Sequence, residues 1–367
     1  MKGYLLDILL IFLLNSNFIL ANMTSVEKNK EYKSYILGDD KGNVLFGENI
    51  SRKVPLASLT KMMTLIITFD AIESGKINMD DLVVMDKESN SLGGSRIWIK
   101  TGTELTVKDL IKATAIHSAN NAAYALAKYV GNGDVDTFVS LMNQKAKKLG
   151  ISEEINYYTP TGLPPNMTGK NMDIGTSEGI YKLSEEALKY KEYLSIASKK
   201  KEQILNGKIK FKNRNNLLGK DGIYGIKTGH HDAAGYNIAI ASNKNNMNII
   251  YVVLGSSDEE TRDNKVEKDI SDFYNKFKHE FILRKDVPVA VAKVKKGTEQ
   301  ILELYPDREV EKIYKKNQKI KLVLKIDKEI QAPIKKMEKL GYFMLFLDDK
   351  KINEGYIISK NSINKRS

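Results

Sequence analysis

The chain has 367 residues, of which 42% are hydrophobic, so it is long enough for two globular domains and is not a disordered protein. It contains no cysteine, which excludes disulfide bonds, thiolate catalysis and metal sites with cysteine ligands. The 58 basic and 46 acidic side chains give a net charge of +12, which favours contact with an anionic membrane or cell-wall surface. Lysines on solvated faces explain the same charge, and no arginine-rich helix or zinc spacing indicates nucleic acid.

The N-terminus has the pattern of a secretory signal peptide. Residues 5–14 are apolar except Asp7, and a second apolar run ends at the small residue Ala21. We therefore expect a signal peptide over residues 1–22 and an exported protein of the periplasm or cell envelope. Asp7 and the polar residues 15–17 make the segment too short and polar for a comfortable membrane span, and retention as an N-terminal anchor is the alternative.

The remaining pattern predicts strands, then helices, then antiparallel strands and a helix. A hairpin joins residues 35–37 to 44–46, and an apolar helix begins near Ser58. A helix from Thr106 is expected to break over 117–121, where polar residues cluster. The other predicted elements are helices at 122–130, 136–149, 184–197 and 259–281, strands at 208–211, 223–227, 236–241 and 249–254, and a loop at 151–175.

This order predicts an α+β fold, with an antiparallel sheet, flanking helices and a helical subdomain. The pattern changes near residue 285 to short alternating segments separated by turns. We expect one domain at 23–284, a small all-β domain at 285–360 and a polar tail at 361–367.

Ser58 and Lys61 form an S-x-x-K motif at the start of the apolar helix. Residues i and i+3 share a helix face, so the hydroxyl and the amine can meet, and a desolvated lysine amine can take a serine proton. The same spacing occurs at Ser25, Ser198 and Ser362, in polar surroundings. Only Ser58 has apolar flanks and a helix start, where backbone N–H groups can stabilise an oxyanion.

Two further short motifs follow in the chain. Ser118-Ala119-Asn120 offers a hydroxyl that relays protons and an amide that holds a substrate carbonyl. Lys227-Thr228-Gly229 follows a strand, and Gly229 is expected to let a substrate backbone pass close to it. A second K-T-G at residues 100–102 precedes a capped helix and reads as a turn.

The order S-x-x-K, S-x-N, K-T-G is that of penicillin-binding proteins and serine β-lactamases. Residues 33–265 resemble the D-alanyl-D-alanine carboxypeptidases, the low-molecular-weight penicillin-binding proteins, and residues 331–336 resemble their C-terminal β domain. Segments that carry the resemblance are 55–61, 93–95, 117–123, 161–164, 213–215, 225–230 and 234–237.

The resemblance implies a serine D,D-carboxypeptidase that removes the terminal D-alanine of peptidoglycan stem peptides and is acylated by β-lactams. It implies no cofactor and no metal. It assigns Ser58 as the nucleophile, Lys61 as its base and Ser118 as a proton relay to the leaving amine. It places substrate-binding groups at Asn120, Lys227, Thr228, Gly229, His230, Arg214 and Arg262, with the backbone N–H groups of Ser58 and His230 as the oxyanion hole.

Three alternatives follow from the residues. None of the four histidines has a metal-ligand spacing, although His117 lies next to Ser118 as a rival base. A class A-like β-lactamase requires a carboxylate after S-x-N, and Glu153 and Glu154 lie there. A non-catalytic cell-wall-binding or penicillin-sensing module is the third.

His231 departs from the family, which usually has a small hydroxyl residue at that position.

Overall fold

The computed structural model describes residues 31–366, so the predicted signal peptide lies outside the described residues. The chain divides into two compact units. The first holds residues 31–243 and 248–270, and the second holds 244–247 and 271–366. In the described part of the chain, no helix is both long and apolar enough to span a bilayer.

The first unit combines helices with one principal sheet. Its strands are β1 Ser34–Asp39, β2 Val44–Glu48, β3 Val54–Pro55, β4 Leu82–Val84, β5 Glu104–Thr106, β6 Ile155–Asn156, β7 Ile174–Gly175, β8 Lys201–Ile204, β9 Ile209–Lys212, β10 Ile223–His231, β11 Gly235–Lys244 and β12 Met247–Ser256. Its helices are α1 Lys61–Glu73, α2 Lys87–Ser91, α3 Val107–Lys112, α4 Asn120–Val130, α5 Val135–Lys148, α6 Pro165–Thr168, α7 Ser177–Ala187 and α8 Lys191–Ala197, with α9 Glu259–Lys276 continuing into the second unit.

The principal sheet has five strands in the order β10-β11-β12-β1-β2. The β10–β11, β1–β12 and β1–β2 pairs are antiparallel, as the sequence predicts. In β12 nine of the ten residues are buried. Both faces of this strand are covered, so its sequence does not alternate between apolar and polar residues. The K-T-G residues lie on β10, an edge strand of this sheet, and all three are nevertheless buried.

Helix α1 forms the centre of the helical part. All but three of its 13 residues are buried, which explains why it is apolar on every side rather than amphipathic. It packs against α4, α5 and α7. The predicted break after α3 is confirmed: a π-helical turn over Ala113–His117 ends at Ser118, which has the left-handed angles φ 63° and ψ 31°, and α4 begins at Asn120.

The second unit is all-β beyond the end of α9. Its strands are β13 Phe277–Leu283, β14 Ala290–Lys295, β15 Ile301–Pro306, β16 Val310–Lys315, β17 Ile320–Ile326, β18 Ile330–Gln331, β19 Lys339–Leu347 and β20 Lys350–Ser359. Six of them form a sheet in the order β17-β19-β20-β15-β14-β18. Its core includes the fully buried Leu304, Phe343, Leu345 and Ile357. The α+β fold with a C-terminal all-β part is confirmed.

Three predicted boundaries were wrong. The helix expected to reach residue 281 ends at Lys276, because Phe277–Leu283 pairs with β16 as a strand. The helix predicted over 184–197 is two helices, α7 and α8, separated at residues 188–190. The predicted loop at 151–175 contains the short paired strands β6 and β7, whose two-residue lengths leave no periodic signal.

Candidate active site

The S-x-x-K pair lies at the entrance to α1. Ser58 belongs to a 3-10 turn over Ala57–Thr60, and Lys61 is the first residue of the helix. Lys61 Nζ donates to Ser58 Oγ at 2.8 Å, inside the range expected for a nucleophile and its base. The same amine donates to the main-chain oxygen of Thr161 at 2.6 Å. The amine is therefore hydrogen-bonded to the nucleophile, Ser58, and is held in place by a second hydrogen bond to Thr161.

The environment of Lys61 favours a neutral amine. Its side chain is fully buried. Burial is the main cause that lowers the pKa of Lys61 well below its usual value, and the positive charge of Lys227 lowers it further. A neutral amine has a free lone pair, so it can accept the Ser58 hydroxyl proton across the 2.8 Å contact.

Tight backbone packing fixes the turn that carries Ser58. Ala57 has a positive φ of 48°, and Gly162 lies so close that a Cβ there would come within 1.8 Å of Ala57 O. Asn237 on β11 donates from Nδ2 to the main-chain oxygens of Pro55 and Leu56, at 3.0 and 3.1 Å. The turn is thus held from the loop on one side and from the sheet on the other.

Gly229 has a packing role that the sequence did not predict. A Cβ at this position would lie 3.0 Å from Leu56 O and from the main-chain nitrogens of Ser58 and Leu59. The missing side chain therefore makes room for the backbone of the Ser58 turn. This close approach brings the backbone of β10 beside the Ser58 N–H, which is the arrangement that a two-donor oxyanion hole requires.

Ser118 and Lys227 join the helical part to the sheet. Lys227 Nζ donates to Ser118 Oγ at 2.8 Å and to Thr228 O at 2.9 Å. Lys227 is 2% exposed, and burial, with the charges of Arg214 and Arg262, lowers the pKa of Lys227 to about 7. The relay hydroxyl therefore faces a lysine that exchanges its proton near neutral pH.

Asn120 fixes the segment opposite β10. It is buried, its Nδ2 donates to Gly93 O at 2.8 Å, and its main-chain N–H donates to Ser95 O at 2.7 Å. Its Oδ1 is buried with no hydrogen-bond partner in the described structure. Such an acceptor is available to a substrate N–H.

A cavity of about 540 Å³ opens above Ser58. Seven of the ten predicted site residues line it: Ser58, Ser118, Arg214, Thr228, Gly229, His230 and Arg262. The other three, Lys61, Asn120 and Lys227, lie behind this lining and are hydrogen-bonded to Ser58, Ser95 and Ser118 respectively. The fold thus brings all ten together.

Two arginines give the cavity its positive charge. Arg214 is exposed, and its Nη2 lies 3.4 Å from Ser95 Oγ. Arg262 is 2% exposed and pairs with Asp263 at 2.6 Å and Glu259 at 3.1 Å. With Thr228, these groups suit a ligand that ends in a free carboxylate.

The alternatives for base and deacylating carboxylate find no support in this arrangement. The His117 ring packs on Phe211, with 5.6 Å between ring centroids, and His231 Nδ1 accepts from Ala234 N within the turn after β10. Glu153 is exposed and Glu154 lies against Lys182. Among the residues that line the cavity, the one carboxylate is Glu259, which is paired with Arg262.

Sequence reasoning missed three positioning residues. They are Thr161, which holds Lys61; Asn237, which holds the Ser58 turn; and Ser95, which donates to His117 O at 2.8 Å and contacts Arg214. All three lie in segments that resemble the carboxypeptidase family, but no spacing pattern distinguishes them. Their roles depend on contacts between residues 22 to 182 positions apart.

Comparison with known proteins gives a consistent result along the chain. Residues 21–258 match the family model of D-alanyl-D-alanine carboxypeptidase, and residues 277–365 match that of the penicillin-binding protein 5 C-terminal domain. The chain is 31% identical to D-alanyl-D-alanine carboxypeptidase DacF of Bacillus subtilis, over 91% of this chain and 86% of that protein. It is 30% identical to DacC of Escherichia coli, over 96% of this chain and 89% of that protein.

Two solved structures of penicillin-binding proteins are also similar to this chain. Penicillin-binding protein 5 from Haemophilus influenzae matches with a TM-score of 0.71 and 28% identity, over 91% of this chain and 98% of that chain. Penicillin-binding protein 6B from Escherichia coli matches with a TM-score of 0.73 and 25% identity, over 89% of this chain and 95% of that chain.

The contact at Gly229 predicts a strong effect of Gly229→Ala. Because a Cβ there would lie 3.0 Å from three backbone atoms of the Ser58 turn, β10 and the turn must separate. We expect β-lactam acylation to slow about a hundredfold or more, which is the cost of losing one oxyanion donor. Gly225→Ala on the same strand is the control, since its nearest neighbour is a leucine methyl at 3.9 Å. Equal acylation rates of the two variants would contradict this role.

The pKa of Lys227 predicts the effect of Arg214→Gln. The charge of Arg214 lowers the pKa of Lys227, which is about 7, so removing that charge must raise it. The limb of the kcat/KM–pH profile that Lys227 governs should therefore move to higher pH. Lys212→Gln, an exposed cation two residues earlier, should leave the limb in place. A limb that stays in place or moves down in Arg214→Gln would contradict this assignment.

Proposed function

The chain belongs to the D-alanyl-D-alanine carboxypeptidases, the low-molecular-weight penicillin-binding proteins, and on this premise we propose how its residues divide the reaction. The enzyme is a serine-type hydrolase that removes the terminal D-alanine from peptidoglycan stem peptides. The observation that carries the residue assignment is the 2.8 Å contact between Ser58 Oγ and the fully buried amine of Lys61.

Acylation begins at Ser58. Its Oγ attacks the carbonyl carbon between the two D-alanines while Lys61 Nζ takes the hydroxyl proton. The carbonyl oxygen becomes an oxyanion that the backbone N–H groups of Ser58 and His230 stabilise, each such donor contributing roughly 3 kcal/mol in related reactions. Collapse of the tetrahedral intermediate breaks the C–N bond and leaves an ester on Ser58.

The leaving amine needs a proton. Ser118 Oγ passes one to it from the Lys227 side, across their 2.8 Å hydrogen bond. The proton that Lys61 took then replaces the one that the Ser118–Lys227 pair gave to the amine, so Lys61 is neutral again. It takes a proton from the water that attacks the ester and gives that proton to Ser58 Oγ as the acid product leaves. In β-lactams the amide nitrogen stays tethered to the acyl group, so the same attack leaves a covalent adduct.

The remaining site residues bind the substrate. Thr228, Arg214 and Arg262 bind the terminal carboxylate, and the positive charge of Lys227 favours it. Asn120 holds the peptide unit on the other side of the scissile bond through its free Oδ1. Gly229 and His230 supply the backbone that runs beside the substrate.

Covalent labelling tests the nucleophile. A fluorescent penicillin should label the wild-type chain, and Ser58→Ala should abolish the labelling because no other hydroxyl faces the Lys61 amine in the described structure. Ser198→Ala is the matched control, since Ser198 and Lys201 repeat the S-x-x-K spacing on the surface. Mass spectrometry of stem peptides should show the loss of one D-alanine by wild type and by the control. Equal labelling of Ser58→Ala would refute the assignment.

The cell-envelope location is also a proposal. The apolar pattern of residues 1–22 supports export, and the charge of the second unit supports contact with an anionic surface. Residues 271–367 hold 23 basic and 14 acidic side chains, a net charge of +9 out of the +12 of the whole chain. Lysines lie over partly exposed tyrosine rings in its sheet: Lys339 over Tyr356 at 3.6 Å and Lys325 over Tyr342 at 5.4 Å.

Vesicle binding tests this contact. The chain should co-sediment with vesicles that contain phosphatidylglycerol and detach as salt rises, because each lysine near an anionic surface contributes about 1 kcal/mol. The double variant Lys325→Glu/Lys339→Glu should bind at least about tenfold more weakly. Lys147→Glu/Lys148→Glu, an exposed pair on α5, is the control and should bind as wild type does. Equal binding to neutral phosphatidylcholine vesicles would argue against the proposal.

A further inference from the structure

Asp173 is a buried carboxylate that the reaction scheme does not use. It is 1% exposed and immediately precedes β7. Its Oδ1 accepts from the main-chain N–H groups of Tyr158 and Thr159, at 2.5 and 3.0 Å. Its Oδ2 accepts from Thr159 Oγ1 at 2.5 Å. Three donors from one short loop thus converge on a single side chain.

That loop holds the base. Thr159 Oγ1, which donates to Asp173, accepts from the N–H of Gly162 at 2.9 Å and from that of Thr161 at 3.3 Å. This closes the turn and aims the main-chain oxygen of Thr161 at Lys61 Nζ, 2.6 Å away. A continuous set of hydrogen bonds therefore runs from the Asp173 carboxylate through Thr159 and Thr161 to the catalytic amine.

Asp173 also holds the nucleophile's segment through its backbone. Its main-chain oxygen accepts from Leu56 N at 3.0 Å, two residues before Ser58. Ser58 lies in the turn that leads directly into the helix begun by Lys61. Asp173 therefore constrains the pair at two places: it binds Leu56 before Ser58, and through the loop it holds the amine of Lys61. Asp173 is thus hydrogen-bonded both to the segment that carries Ser58 and to the loop that holds Lys61.

The charge of Asp173 acts on the same amine. Lys61 faces two charged groups: Lys227 on β10, which lowers the pKa of Lys61, and Asp173, which raises it. Asp173 faces Lys61 and the Tyr157 hydroxyl group. Burial raises the pKa of Asp173 to about 6, although its hydrogen bonds from Thr159 and Tyr158 oppose that rise. The carboxylate is therefore ionised at neutral pH and opposes the effect of Lys227.

We propose that Asp173 is a positioning residue for the general base: it holds the 158–162 loop so that Thr161 keeps the Lys61 amine against Ser58, and it keeps a negative charge near that amine. This inference rests on the proposed function, in which Lys61 is the base. It separates into a geometric part, which requires the Thr159 hydroxyl, and an electrostatic part, which requires only the charge.

Two variants separate the parts, with the second-order rate of acylation by a fluorescent penicillin measured from pH 5 to 9 on the full chain. Asp173→Asn keeps the shape of the side chain but loses its charge, and it puts an NH2 group in place of the Oδ2 that accepts from Thr159 Oγ1, so the link to the loop is lost as well. Acylation needs neutral Lys61, so the rate rises with pH through the pKa of Lys61. Removing a group that raises this pKa must move the acid limb to lower pH, and the misplaced amine should lower the plateau about ten- to a hundredfold.

Thr159→Val keeps the Asp173 charge and removes the hydroxyl link. Its plateau should fall as that of Asp173→Asn does, while its acid limb stays at the wild-type pH. Asp136→Asn is the control, because Asp136 is an exposed carboxylate paired with Lys170 at 2.8 Å, and both its plateau and its limb should match wild type.

The outcomes are distinct. If Asp173→Asn lowers the plateau and the melting midpoint but leaves the limb in place, Asp173 is merely structural and the inference is wrong; it is equally wrong if both quantities stay at wild-type values. If Asp173→Asn does not fold, Thr159→Val decides: an unchanged plateau overturns the inference. A wild-type chain that is not acylated at all would overturn the proposed function, and this inference with it.

Discussion

Two lysine amines buried within one site impose the condition on which the rest of the structure depends. A charged ammonium out of water is costly, so each amine must either find compensating groups or lose its proton. Lys61 and Lys227 are both essentially inaccessible, and burial lowers the pKa of each. The charge of Lys227 lowers the pKa of Lys61 further, and the charges of Arg214 and Arg262 lower that of Lys227. The result is a base whose pKa lies well below that of an ordinary lysine and a second amine whose pKa is about 7.

This condition explains why the site needs contributions from so many parts of the chain. Each amine must be fully desolvated and yet hydrogen-bonded, because an unpaired buried donor costs about 1–3 kcal/mol. The fold satisfies Lys61 with Ser58 and the Thr161 carbonyl, and Lys227 with Ser118 and the Thr228 carbonyl. Each lysine thus has one structural acceptor from the backbone and one hydroxyl that takes part in the chemistry.

The sequence was sufficient for the groups that react but not for those that hold them. Ser58, Lys61, Ser118 and Lys227 stand in short motifs whose order in the chain is distinctive, and the fold brings the ten predicted site residues together. Thr161 reaches across 100 residues of sequence to Lys61, Asn237 across 182 to Pro55, and the main-chain oxygen of Asp173 across 117 to Leu56. No periodicity or local spacing encodes such contacts, so only the folded chain identifies them. The predicted helix end at residue 281 was wrong for a related reason. The helix ends at Lys276 because the residues that follow it pair with β16 as a strand.

The two K-T-G copies show how context gives a short motif its meaning. At residues 100–102 the glycine has a φ of 86° and nothing within 4 Å of its missing Cβ, so the triplet is an open turn for which glycine is simply the residue that tolerates the angle. At residues 227–229 the glycine lies in an extended strand, and three backbone atoms of the Ser58 turn occupy the space that a side chain would need. Gly102 is required by its own backbone angle, whereas Gly229 is required because the backbone of the Ser58 turn packs against it. A match to the motif therefore identifies a catalytic strand only when a nucleophile-bearing turn packs against that glycine.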